Sequence, residues 1–189
     1  MSDQACAPEG PADYARKCVE CLVSGRPVPG APSEPLYSRQ AACFVSLKKH
    51  GQLRGCIGTL EPAEPHLGAE IARNARSAAF DDPRFAAVRA DELAALACSV
   101  DVLSPSEPCT FDDLDPHVYG VIVAAGYRRG VLLPDLEGID TAAEQVGIAL
   151  QKAGIRPDEQ FSVRRFTVTR YREGERGGEC PEATGEVDG

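Results

Sequence analysis

Apolar and polar positions alternate with two different periods along this chain. Between Tyr14 and Leu22 the apolar residues Tyr14, Cys18, Cys21 and Leu22 recur at i, i+4, i+7 and i+8, the stripe of a helix with one buried face. Pro11 stands near its start and Gly25 ends it. The same period returns in "PHLGAEIARNARSAAF", where Leu67, Ile71, Ala75 and Ala78 or Ala79 share a face, and again in "TAAEQVGIALQKAG". A two-residue period marks strands. "ACFVSLKK" and "LRGCIGTL" are joined at His50-Gly51, a hairpin signal, and "YGVIVAAG" and "RRGVLLP" make a second hairpin. "DELAAL" predicts a short helix, "CSVDVLS" a strand and "FDDLD" a helical turn. "FSVRRFTVTRYR" alternates throughout and predicts one long final strand. Four prolines between Arg26 and Pro35 predict an extended surface loop.

Laying residue 51 on residue 126 matches Gly51 with Gly126, Arg54 with Arg129 and Gly55 with Gly130, and carries one helix onto the other. Each hairpin is followed by a helix and then a strand, which predicts a duplicated β-hairpin/α/β unit near 42–104 and 118–171. A recurring Arg-Gly in both copies has an architectural explanation first: glycine admits a bulge or a close backbone approach. Cys56 has no counterpart, because Val131 stands in its place. Residues 1–10 read as a flexible arm, 11–172 as the folded domain, and the Gly- and Glu-rich 173–189 as a disordered tail.

Composition narrows the function classes. With 189 residues, 43% of them hydrophobic, a sizeable core is within reach, but without Trp and with 6% aromatic residues it must be packed from Ala, Val, Leu and Ile. A formal charge of -9 repels polyanions, so nucleic acid is an unlikely partner despite the basic "YRRG" and "RRFTVTRYR". No apolar leader or bilayer-length run is present, which predicts a cytoplasmic, membrane-free protein with its eight cysteines reduced. Cys18 and Cys21 have no second pair and no nearby His, so both are expected to face the core rather than a metal.

The motifs "CFVSLKKHGQLRGCIGTLEP", "AFDDPRF", "SVDVLSPSEP", "YGVIVAAGYRRGVLLPDLEGIDT" and "QKAGI" occur in this order from the first helix to about Arg172. In them the chain resembles the AMMECR-one-like family, and in detail its prokaryotic branch, protein A of the AmmeMemoRadiSam system. The resemblance implies an α+β fold of two unequal subdomains with antiparallel sheets, packed helices and a cleft. It also implies association with a Memo-like protein and a radical S-adenosylmethionine enzyme. It carries no catalytic assignment, and no cofactor is expected on this chain, which lacks a CxxxCxxC triad.

Site residues therefore follow from chemistry alone. In a regular strand Arg54, Cys56 and Gly58 face one way; a guanidinium beside a thiol favours the nucleophilic form of sulfur, and Gly58 leaves room against the strand. This reading makes Cys56 a catalytic thiol with Arg54, Gly55 and Gly58 lining a small-molecule site. The competing reading makes Cys56 a small core residue, with Val45 opposite it across a two-residue turn. "FDDPRF" holds Asp82 and Arg84: they either build a local turn or reach in to orient Arg54 or grip a carboxylate or phosphate. Asp135, Glu137 and Asp140 do not fit a calcium loop and read as a solvated segment, with Asp140 capping the next helix. His50, His66 and His117 form no local metal pair. Two functions remain open: an enzyme or substrate-binding subunit acting on a small anionic or aromatic metabolite, and a non-catalytic adaptor that binds a protein.

Overall fold

The structure, a computed structural model, describes residues 10–174. The chain forms two compact units: one runs to Leu103 and resumes at Thr169, and the other spans Ser104–Val168. Each has its own hydrophobic core and its own four-stranded sheet, giving an α+β fold.

In the first unit, α1 (Pro11–Val23) buries Tyr14, Ala15, Cys18 and Val19. Cys18 is fully buried, whereas Cys21 is only half-buried, one step off the stripe's centre. The proline-rich segment is irregular except for a single short helix, α2 (Pro35–Ser38), with Pro35 in its first turn. Strands β1 (Cys43–Lys49) and β2 (Gln52–Gly58) form the first hairpin. His50 and Gly51 both have positive φ, 51° and 80°, as its tight turn requires. Helix α3 (Leu67–Phe80) presents Leu67, Ile71, Ala75 and Ala78 to the sheet, and His66 caps it by accepting from the Ala69 N–H at 3.1 Å. A 3₁₀ helix (Ala90–Ala95) leads into β3 (Leu96–Leu103).

The second unit adds the two-residue strand β4 (Glu107–Pro108), a 3₁₀ turn (Phe111–Asp113), and the hairpin β5 (Gly120–Ala125) and β6 (Arg128–Leu132). Helix α4 (Ala142–Ala153) follows, then β7 (Ser162–Phe166). The N-cap of α4 is Thr141 rather than Asp140. Its hydroxyl accepts from the Glu144 N–H while the Glu144 carboxylate accepts from the Thr141 N–H, a reciprocal capping box. The alternating run 161–172 is two strands, not one: it breaks at Thr167, and β8 (Val168–Arg172) pairs into the first unit's sheet.

The sheet orders are β2-β1-β3-β8 and β4-β7-β5-β6. Read from the hairpin outward, both run second hairpin strand, first hairpin strand, strand after the helix, added strand. The duplicated β-hairpin/α/β topology is therefore present in both units. It extends to packing: a Cβ on Gly55 would run into the carbonyl of Ala78 on α3, and one on Gly130 into the carbonyl of Ala149 on α4. A buried helix amide also recurs, Asn74 Nδ2 donating to the Cys43 carbonyl at 2.9 Å and Gln145 Nε2 to the Tyr119 carbonyl at 2.8 Å. Both tie a helix to the start of the first hairpin strand. No helix among the described residues is long and apolar enough to cross a membrane. Glu173 and Gly174 are bonded to the first unit, through Cys98 N–H and Asp13 respectively. The arm and tail outside 10–174 lie beyond the described residues.

Candidate functional site

Hairpin β1–β2 is not regular. Lys49 pairs with Gln52 and Lys48 with Leu53, but Leu47 pairs with Gly55, so Arg54 is an extra residue, a β-bulge. The bulge shifts every later pair by one. Ser46, not Val45, stands opposite Cys56, and Val45 faces Ile57. Gly55 and Ile57 accordingly turn to the helices, as buried Leu47 and Val45 do, whereas Cys56 shares the opposite face with Ser46. Cys56 is half-buried, and the Ser46 hydroxyl donates to its Sγ at 3.1 Å. The remaining cysteines of this face's strands behave differently: Cys43 and Cys98 are buried, and burial pushes both thiols up, Cys43 to about 12.

β2 is an edge strand, and its edge is closed by the "FDDPRF" loop rather than by another strand. The Cys56 N–H donates to Asp82 Oδ2 at 2.9 Å, and Arg84 Nη2 donates to the Cys56 carbonyl at 3.2 Å. Asp82 in turn accepts from Arg84 Nε at 3.0 Å, Arg84 Nη2 at 2.8 Å and the Arg84 backbone N–H at 3.1 Å. The sequence posed turn against site; the loop is a turn whose side chains clasp the backbone of Cys56. The Arg84 guanidinium holds Asp82 well below the usual carboxylate range against the opposing effect of its burial, with help from the Cys56 N–H.

Arg54 is gripped by a residue the sequence did not single out. Glu92, in the 3₁₀ helix, accepts from Arg54 Nε at 3.0 Å and Nη2 at 2.9 Å, and from Lys49 Nζ at 3.0 Å. The pair is mostly buried, with side-chain exposures of 14% and 12%, and Arg54, then Lys49, bring Glu92 down to about 2. Neither Asp82 nor Arg84 orients Arg54. Both guanidinium groups approach the ring of Phe85, Arg54 Cζ at 6.0 Å and Arg84 Cζ at 5.5 Å from its centroid. The guanidinium bonded to Cys56 is thus that of Arg84, not Arg54. The space left by the missing side chain at Gly58 is filled by the ring of Phe44 from across the strand pair.

The other singled-out residues take no part in these bonds. Asp135, Glu137 and Asp140 are exposed in their loop, and Asp135, at φ 54°, holds a turn. His50 is in the first hairpin turn, His66 caps α3, and His117 is 3.8 Å from Asp135 at the surface. Among the described residues no group of three or more His, Cys, Asp or Glu is placed to hold a metal ion.

These features define a two-sheet α+β protein whose first hairpin carries a clasped edge thiol in an "LRGCIG" strand. The chain belongs to the AMMECR1 family, whose model matches residues 12–175. Bacterial and archaeal relatives put it in the prokaryotic branch of that family. A Thermotoga maritima protein is 53% identical over 142 residues, covering 74% of this chain and 82% of its own length. A Clostridium acetobutylicum protein is 47% identical over 146 residues, 77% of this chain but 31% of the relative, so the chain spans about a third of that longer protein. Among solved structures, uncharacterised protein PH0010 from Pyrococcus horikoshii superposes with a TM-score of 0.79 at 29% identity, over 88% of this chain and 91% of that one.

Proposed function

We propose that this protein is a cytoplasmic enzyme or substrate-binding subunit that handles a small metabolite at the face of β2 carrying Cys56. In this reading Cys56 is the reacting group and Arg84 the nearest cation. Asp82 fixes both, and Arg54, held by Glu92, buttresses the strand from its bulge. Gly55 lets the strand sit against α3, and Gly58 makes room for Phe44 at the rim. The observation that supports it most is the contrast among thiols. Cys56 is half-exposed, bonded through its sulfur to a hydroxyl and through its backbone to a fixed ion pair, while Cys18, Cys43 and Cys98 are sealed in the core.

Family membership further supports work beside a Memo-like protein and a radical S-adenosylmethionine enzyme. A relative in which the matched region is 31% of a longer chain fits a domain that acts next to another. The same relative favours a second reading, a non-catalytic adaptor whose face binds a protein segment.

Alkylation of each cysteine of the native protein by iodoacetamide, followed by mass spectrometry, separates the two. Cys56 is expected to be modified before Cys43 and Cys98 and to slow in Arg84→Gln. A Cys56 as slow as buried Cys18 would remove the reacting thiol and leave the adaptor reading.

A further inference from the structure

Two groups lie beside Cys56, one on its own face of the strand and one at the strand's edge. On one side the ring of Phe44 lies over Gly58, two residues along the strand and on the same face as Cys56. On the other side is Arg84. Its Nε and Nη2 are held by Asp82 and the Cys56 carbonyl, whereas Nη1 has no partner among the described residues and the side chain is 54% exposed. The guanidinium is therefore fixed in orientation yet keeps two N–H donors for something else.

Charge limits what that can be. Lys49, Arg54 and Arg84 stand against Glu92 and Asp82, which leaves a single net positive charge in a chain whose formal charge is -9. Asp82 is ionised and doubly bonded to the same guanidinium that presents Nη1. A dianion such as a phosphate monoester would meet that carboxylate at close range; a monoanion meets a neutral clasp with one free pair of donors.

We propose that the patch takes a small flat monocarboxylate, with its carboxylate on Arg84 Nη1 and its planar body along Phe44, across the sulfur of Cys56. The assignment rests on the small-molecule reading of the site and names the substrate class for it.

Benzoate is the probe. At roughly 10 mM, the concentration that nearly fills a site of millimolar Kd, it is expected to slow iodoacetamide modification of Cys56 about tenfold. Half-buried Cys21 and Cys109 serve as internal controls and should be unaffected. Cyclohexanecarboxylate, equally charged but not flat, and inorganic phosphate should protect far less. Protection should disappear in Arg84→Gln and weaken in Phe44→Leu. In parallel, benzoate should shift the backbone amide resonances of Cys56, Gly58 and Arg84 in ¹H–¹⁵N spectra, saturably and without any need for a reactive thiol. Equal protection by phosphate, or amide shifts that persist in Arg84→Gln, overturns the carboxylate assignment. An unreactive Cys56 together with saturable benzoate shifts overturns the enzyme reading instead and leaves the carboxylate site standing.

Discussion

The two units run one topology and differ at one strand. In both, the second hairpin strand passes so close to the following helix that only glycine fits, and a buried helix amide ties that helix to the first strand. The second unit's hairpin keeps an unbroken register from Ala125↔Arg128 to Val121↔Leu132. The first unit's slips at Arg54. Where the second unit has Val131, with its carbonyl bonded to Lys152 Nζ at 3.1 Å, the first has Cys56 clasped on both backbone groups by Asp82 and Arg84. What is shared holds a helix on a sheet. Among the described residues the register slip, the half-buried strand thiol and the backbone clasp belong to the first hairpin, whereas an Arg–Glu pair recurs on the second as Arg128–Glu159. The thiol and its clasp are what favour the first hairpin as the functional one.

The strongest way to break the comparison is at its shared point. Gly55→Ala and Gly130→Ala each push a methyl into a helix carbonyl, which has no flexible end to yield. Each is expected to cost about 3 kcal/mol, read from denaturant melts. If one is tolerated, the two helices are not seated by the same contact.

A smaller effect belongs to the first unit alone. Glu92 has its folded pKa depressed from 4.5 to about 2, so its contribution is fully present above 4.5 and is lost as pH falls from there toward 2. Glu92→Gln is expected to cost about 1 kcal/mol at neutral pH, allowing for solvent screening. Its melting curve should merge with that of the parent protein near pH 2. A gap that is unchanged at low pH would mean that Glu92 acts through packing.

The smallest change in stability comes from transplanting the thiol. Val131→Cys should alter stability by no more than about 0.5 kcal/mol, and its sulfur should react with iodoacetamide more slowly than Cys56. Equal rates would show that an edge position suffices and that the clasp adds nothing.

Much of this fold is written in local pattern. Helical stripes place α1, α3 and α4, and His50-Gly51 and Gly126 place the hairpin turns. The misses have physical causes. The bulge is silent because Leu53-Arg54-Gly55-Cys56 has glycine where an alternating side chain would declare its face, so an unbroken register from the two-residue turn puts Val45 opposite Cys56 where the structure has Ser46. The break at Thr167 is silent because alternation continues straight through it while the hydrogen-bonding partners change. Glu92 lies 38 residues from Arg54, and nothing local couples them. One miss was readable: Thr141-Ala-Ala-Glu144 is a capping-box sequence that favours Thr141 over Asp140 as the cap.

The crossing at Thr167 also sets an order of events. On a ribosome, Ser104–Val168 emerges as one uninterrupted stretch holding every strand of its sheet. The earlier-made unit must wait for Val168–Arg172 to supply its last strand and, with it, the Arg170 guanidinium that binds Asp101 at 2.7 and 2.8 Å. The half of the protein synthesised first is therefore the half that can be finished only last.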